Sequence, residues 1–158
     1  MEISGLISET SIIELSGAEG RERVFAEMVD YLVQQGSLPT DLRESVLKNL
    51  EEREAKISTS IGDGIGLPHA SIQGLPEVLA LLAKVDESID SQSTDGKPIK
   101  IFFMILVPFD KYSIHLRTLA TVARFLNQPE IKSKLNEAGN KKDLFQIIQS
   151  QKFLTSSA

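Results

Sequence analysis

The chain has 158 residues, 41% of them hydrophobic and 25% charged, with a net charge of −5 and no cysteine. That length suits one domain with a sizeable core, and the acidic balance argues against nucleic acid or an anionic membrane surface as the main partner. Without cysteine there is no disulfide framework, thiolate metal site or cysteine nucleophile; no apolar run is long enough to span a membrane, and the start, MEISGLISET, lacks the form of a signal peptide. The expected compartment is the cytoplasm.

Ser11–Leu15 is short and β-branched, which predicts a strand. From about Ala18 to Gln35, Val24, Phe25, Met28, Val29, Leu32 and Val33 recur at helical spacing, and Gly36 follows as a stop. Thr40 or Asp41 caps a second helix with Leu42, Val46, Leu47 and Leu50 inward; it closes on the charged run Glu51-Glu52-Arg53-Glu54. Extended structure resumes at Ile57–Ile61. Val78–Val85 reads as a strand buried on both faces, Asp95-Gly96-Lys97-Pro98 as a turn, and Ile99–Val107 as the central strand, ended by Pro108.

Ser113 is placed to cap a helix over about Ile114–Leu126, with Leu116, Leu119, Ala120, Ala123 and Leu126 inward and His115 and Arg117 in the first turn. Two short helices follow, Pro129–Ala138 and about Lys141–Gln149, the second capped by Asn140 with Asp143 in a capping-box position. The tail from Lys152 to Ala158 is expected to fray. Strands interleaved with helices predict an α/β fold, a mixed sheet flanked by helices on both sides, in a single domain over 1–158 with its core at about 11–150.

The chemistry concentrates at Ile61–Ser71, IGDGIGLPHAS, which holds three glycines, Pro68 and one of the two histidines. Pro68 fixes its own φ and biases Leu67 towards extended backbone, so His69 is presented from a stiff segment. Gly62-x-Gly64-x-Gly66 overlaps a dinucleotide fingerprint, but Pro68 and His69 stand where its helix should begin. A small anion cradle of backbone N–H groups stays open.

A zinc site would need Asp63, Asp95 or Asp110 beside His69 and His115, with no recognisable spacing, and no G-x-S-x-G supports a serine hydrolase. A lone histidine after a turn is as a rule structural. The alternative is that His69 carries a phosphoryl group, because an imidazole is a competent nucleophile near pH 7. His115 on a helix N-terminus and Arg53, 16 residues before His69, would supply the donors and positive charge it needs.

Glu52-Arg53-Glu54, then Ile61–Ala70 (IGDGIGLPHA), then Asp95-Gly96-Lys97-Pro98-Ile99 and His115-Leu116-Arg117-Thr118-Leu119-Ala120 together resemble the IIA domain of the mannitol/fructose class of the phosphoenolpyruvate-dependent phosphotransferase system. The resemblance covers roughly Ser11 to Ile148. The segment IKIFFMILVPFDKYSIHLRTLATVARFL and the later LFQII bring it nearest the nitrogen-regulatory IIA proteins. It implies that His69 is the phosphorylated histidine, His115 the second histidine of the site and Arg53 the phosphate-facing arginine. It also implies an HPr-like phosphocarrier as donor, regulated target proteins or a separate IIB as recipients, and no cofactor or metal. Gly66 stands where the family more often has alanine, and Ala70-Ser71 lacks the basic residue often found after the histidine. A binding module that never carries phosphate is the competing class of function.

Overall fold

The computed structural model describes residues 5–90, 93 and 95–150; the tail expected to fray lies outside them. Eleven principal elements follow one another: β1 (Ile12–Leu15), α1 (Arg21–Gln34), α2 (Arg43–Lys56), β2 (Ser60–Gly62), β3 (Ile65–Gly66), β4 (His69–Ile72), β5 (Leu79–Ile89), β6 (Ile99–Pro108), α3 (Tyr112–Leu126), α4 (Pro129–Glu137) and α5 (Lys141–Gln149). The strands form one mixed sheet in the order β1-β5-β6-β3-β2, with β4 also on β6. β1 lies parallel to β5, β5 antiparallel to β6, and β3 and β4 both parallel to β6.

Alternation along the two longest strands sends side chains into two separate cores. Leu81, Ala83, Phe102, Met104 and Leu106 pack with Val24, Phe25, Met28 and Val46 of α1 and α2. Leu82, Ile101, Phe103, Ile105 and Val107 pack with Val122, Phe125, Leu135, Leu144 and Ile148 of α3 to α5. The sheet is thus covered on both faces, as its near-continuous apolar runs require. Phe25 meets Phe102 edge to face, ring centroids 6.2 Å apart.

The stop at Gly36 is a Schellman motif: the N–H of Ser37 reaches the carbonyl of Leu32, and that of Gly36 the carbonyl of Val33, with Gly36 at φ +75°. Asn140 accepts the N–H of Asp143 at 3.0 Å, whereas the Asp143 carboxylate turns to the N–H of Gly139, one residue before the cap.

Three expectations change. Thr40 and Asp41 form a 3-10 turn, Thr40–Leu42, and α2 begins behind it at Arg43. After Pro108 the chain coils at once through a 3-10 turn, Phe109–Lys111, so α3 starts at Tyr112 and Ser113 lies inside its first turn rather than capping it. The inward face of α3 is Thr118, Leu119, Val122, Phe125 and Leu126, while Leu116 and Ala120 are exposed, because the buried stripe is turned about the helix axis by roughly one residue, ~100°, from the expected one.

β3 and β4 follow a single lane along β6. The same offset of 36 residues holds from Ile65↔Ile101 through to Ile72↔Pro108, with the carbonyl of Pro68 accepting the N–H of Ile105 between them. Leu67 and Pro68 are therefore an interruption in one strand. On the outer side, β2 pairs with β3, and its last bond is from the N–H of Leu67 to the carbonyl of Thr59. Pro68 faces β6 through its carbonyl, so Leu67, two residues before His69, is the last to bond on the β2 side.

Candidate functional site

The glycines and the histidine of Ile61–Ser71 do separate jobs. Gly62, Asp63 and Gly64 all lie in left-handed backbone, at φ +87°, +55° and +83°, and turn β2 back into β3. The turn is locked from outside: Asp63 pairs with Lys97 at 2.9 Å and Lys132 at 3.5 Å, Lys132 donates to the carbonyl of Ile61, and Asn136 donates to the carbonyl of Asp63. Two of the backbone N–H groups an anion cradle here would use are already taken, that of Gly62 by the Ser60 hydroxyl at 3.2 Å and that of Asp63 by the carboxylate of Asp95 at 2.8 Å. Lys97 holds the Asp63 carboxyl below its ordinary range, and the backbone N–H groups of Asp63 and Lys97 do the same for Asp95. Ile65 pairs opposite Ile101 and His69 opposite Ile105, which sets the turn about 13 Å from the histidine at ~3.3 Å per residue.

His69 opens β4 on the face shared by Ile65 and Leu67, at the edge where β2 has ended. It is half-buried, in a cleft of about 250 Å³ lined by Asn49, Arg53, Lys56, Ser71 and Tyr112 among others. Its Nδ1 lies 2.9 Å from the carbonyl of Leu67. A carbonyl only accepts, so Nδ1 carries the proton and Nε2 keeps a free lone pair. Burial is the main force lowering the pKa of His69; the Leu67 carbonyl opposes it, the Arg53 cation adds to it, and Glu54 opposes it again. With a pKa below the ordinary 6.5, the ring is neutral at pH 7.

Arg53 comes from the last turn of α2 and its Nη1 donates to the carbonyl of Ile57 at 2.8 Å. Arg53 and His69 are thus brought to one cleft. His115, half-buried in the first turn of α3, lines a cleft with Lys111, Pro76, Glu77 and Val78. The residue of α3 beside His69 is Tyr112, three positions earlier. Sequence reasoning passed over Tyr112, Asn49 and Lys56. The last two were legible, since Asn49, Glu52, Arg53 and Lys56 repeat at i, i+3, i+4 and i+7 and form one polar helix face. Among the described residues no group of His, Asp or Glu is gathered as metal ligands, and Asp63 and Asp95 are spent on the turn.

Residues 6–151 match the family described as phosphoenolpyruvate-dependent sugar phosphotransferase system, EIIA 2. The chain belongs to that family. Among relatives of this EIIA chain, a fructose-specific EIIA component from Haloferax volcanii is 34% identical over 128 residues, covering 81% of this chain and 82% of its own. A nitrogen regulatory protein from Bradyrhizobium diazoefficiens is 26% identical over 148 residues, covering 94% and 95%. The crystal structure of the nitrogen regulatory protein IIA-Ntr from Neisseria meningitidis superposes with a TM-score of 0.80 at 24% identity, covering 92% of this chain and 98% of that one. The fold is therefore that of the IIA proteins, and the chain is a component of a phosphotransfer system. No helix among the described residues is long and apolar enough to cross a membrane.

Proposed function

We propose that Nε2 of His69 accepts a phosphoryl group from an HPr-like phosphocarrier and holds it as a phosphoramidate, in a regulatory, nitrogen-type IIA protein that needs no cofactor or metal. The observation that supports this most directly is the ring itself: Nδ1–H is committed to the Leu67 carbonyl, Nε2 is bare, and a guanidinium lies beside it in an open cleft. Nε2 attacks phosphorus as the P–N bond of the donor breaks, and the departing donor ring keeps that electron pair. No proton need change hands, because His69 retains its Nδ1–H while its ring takes on the positive charge that the donor ring gives up. The Leu67 carbonyl stabilises that charge, and Arg53 the phosphoryl oxygens. Catalysis is then positioning plus electrostatics.

Intact-mass measurement after incubation with phosphoenolpyruvate, enzyme I and HPr tests the reading. One acid-labile phosphoryl group is expected, and none on His69→Ala. No gain on the unaltered chain leaves only a binding module. His115→Ala is expected to slow labelling without abolishing it, and an unchanged rate removes His115 from the site. Arg53→Lys keeps the charge but loses the planar fork, and is expected to slow transfer as well.

The fructose-specific relative supports a second reading, a IIA component of sugar transport. Onward transfer from labelled protein to the cysteine of a separate IIB would favour it. Altered binding of a target protein after labelling favours regulation, through the ~1.5–2 negative charges a phosphoryl group adds.

A further inference from the structure

Glu54 is only 8% exposed and both its carboxylate oxygens are turned to one residue. Oε2 accepts the backbone N–H of Thr59 at 3.2 Å and Oε1 accepts the Thr59 hydroxyl proton in a short bond. Thr59, itself buried, offers its carbonyl to the N–H of Leu67 at 3.0 Å. The carbonyl of Leu67 in turn accepts Nδ1–H of His69 at 2.9 Å. Four residues from three segments therefore stand in one hydrogen-bonded line, from a buried carboxylate to the imidazole.

We propose that Glu54 is a positioning residue for His69: acting through Thr59 and the Leu67 peptide, it holds the carbonyl that keeps His69 in its Nδ1–H tautomer and leaves Nε2 facing the cleft. The inference rests on His69 being the phosphoryl acceptor. Among the described residues, the bond from Leu67 to the Thr59 carbonyl is the last that this segment makes towards β2. A carboxylate is worth burying here because it accepts two bonds from Thr59 at once, which fixes both its backbone and its side chain. Arg53, the preceding residue, braces the same segment through the carbonyl of Ile57, so the end of α2 grips it at two points. The charged and titratable groups around the ring are Glu52, Arg53, Glu54 and Lys56 from α2 and Tyr112 from α3. Of these only Glu54 has this bonded path to it.

The test uses the full chain and reads the ring directly. Nitrogen-15 shifts of the His69 imidazole report its tautomer, and labelling from phosphorylated HPr reports the rate. The unaltered protein is expected to show Nδ1–H alone. Thr59→Val keeps the shape and removes the hydroxyl, and Glu54→Gln keeps the shape and removes the charge. Both are expected to populate Nε2–H measurably and to slow labelling on the order of tenfold, the scale on which partners that orient an imidazole act. Thr59→Ser is expected to restore both readouts. Unchanged shifts and rate in Thr59→Val and Glu54→Gln overturn the proposal, as does slower labelling with the tautomer intact. If the unaltered chain takes no phosphoryl group, the acceptor reading fails by itself, while the shifts still decide whether Glu54 sets the tautomer.

Discussion

Replacing Gly64 by alanine separates the two jobs of the glycine stretch. At φ +83° an L-residue costs about 1–2 kcal/mol. The new Cβ would also sit 3.2 Å from Oδ1 of Asn136 and 3.6 Å from the carbonyl of Pro98. Asn136 would have to give way, loosening the bond it donates to the carbonyl of Asp63, for roughly another 1 kcal/mol. The expected destabilisation is therefore about 2–3 kcal/mol. At ~2–4 °C per kcal/mol for a chain of this size, Tm should fall by about 4–12 °C. Thermal unfolding followed by circular dichroism measures that fall, and labelling at 25 °C measures the site. The reasoning holds if Tm drops in this range while the labelling rate stays within about twofold of the unaltered protein, since the turn and the imidazole are separated by four residues of β6 and so by some 13 Å of strand, roughly. Lost labelling at an unchanged Tm would refute it and return the glycines to the phosphoryl group.

Two further outcomes are expected. Because burial and then Arg53 lower the pKa of His69 against the pull of Leu67 and Glu54, labelling should be full at pH 7 and fall only as pH drops below the ordinary 6.5; Arg53→Gln should move that acid limb upward, and an unmoved limb in a pH–rate profile would show that the guanidinium does not act on the ring. Asn140→Ala should cost about 1 kcal/mol by losing the cap on α5, which denaturant unfolding would register and labelling would not.

Long apolar runs made the sheet legible. Ile99–Val107 read as the central strand and Val78–Val85 as one buried on both faces, and the helices around them followed from periodicity and from Gly36 and Asn140. β3 and β4 were harder, because glycine and proline punctuate a stretch that nonetheless keeps its register on β6. The face of α3 was misjudged for a different reason: Leu116 and Ala120 fit one helical stripe and Thr118 and Val122 a neighbouring one, and periodicity alone does not choose between two overlapping stripes. At the site, Arg53 and His69 come from segments close in sequence and converge as expected. Tyr112, which lines the cleft of His69 one turn before His115 on α3, carried no sequence signal, because its place depends on α3 starting directly behind the turn after Pro108. Glu54 looked like one more member of a solvated charge run, and only its burial against Thr59 gives it away.

The shared lane of β3 and β4 along the central strand has a mechanical meaning. The backbone on either side of Pro68 is stitched to β6 in one unbroken numbering, and no hinge lies between the sheet and the imidazole. His69 is a fixed post on a rigid rail. On the proposed reading, whatever adjustment an encounter demands must come from the visiting protein.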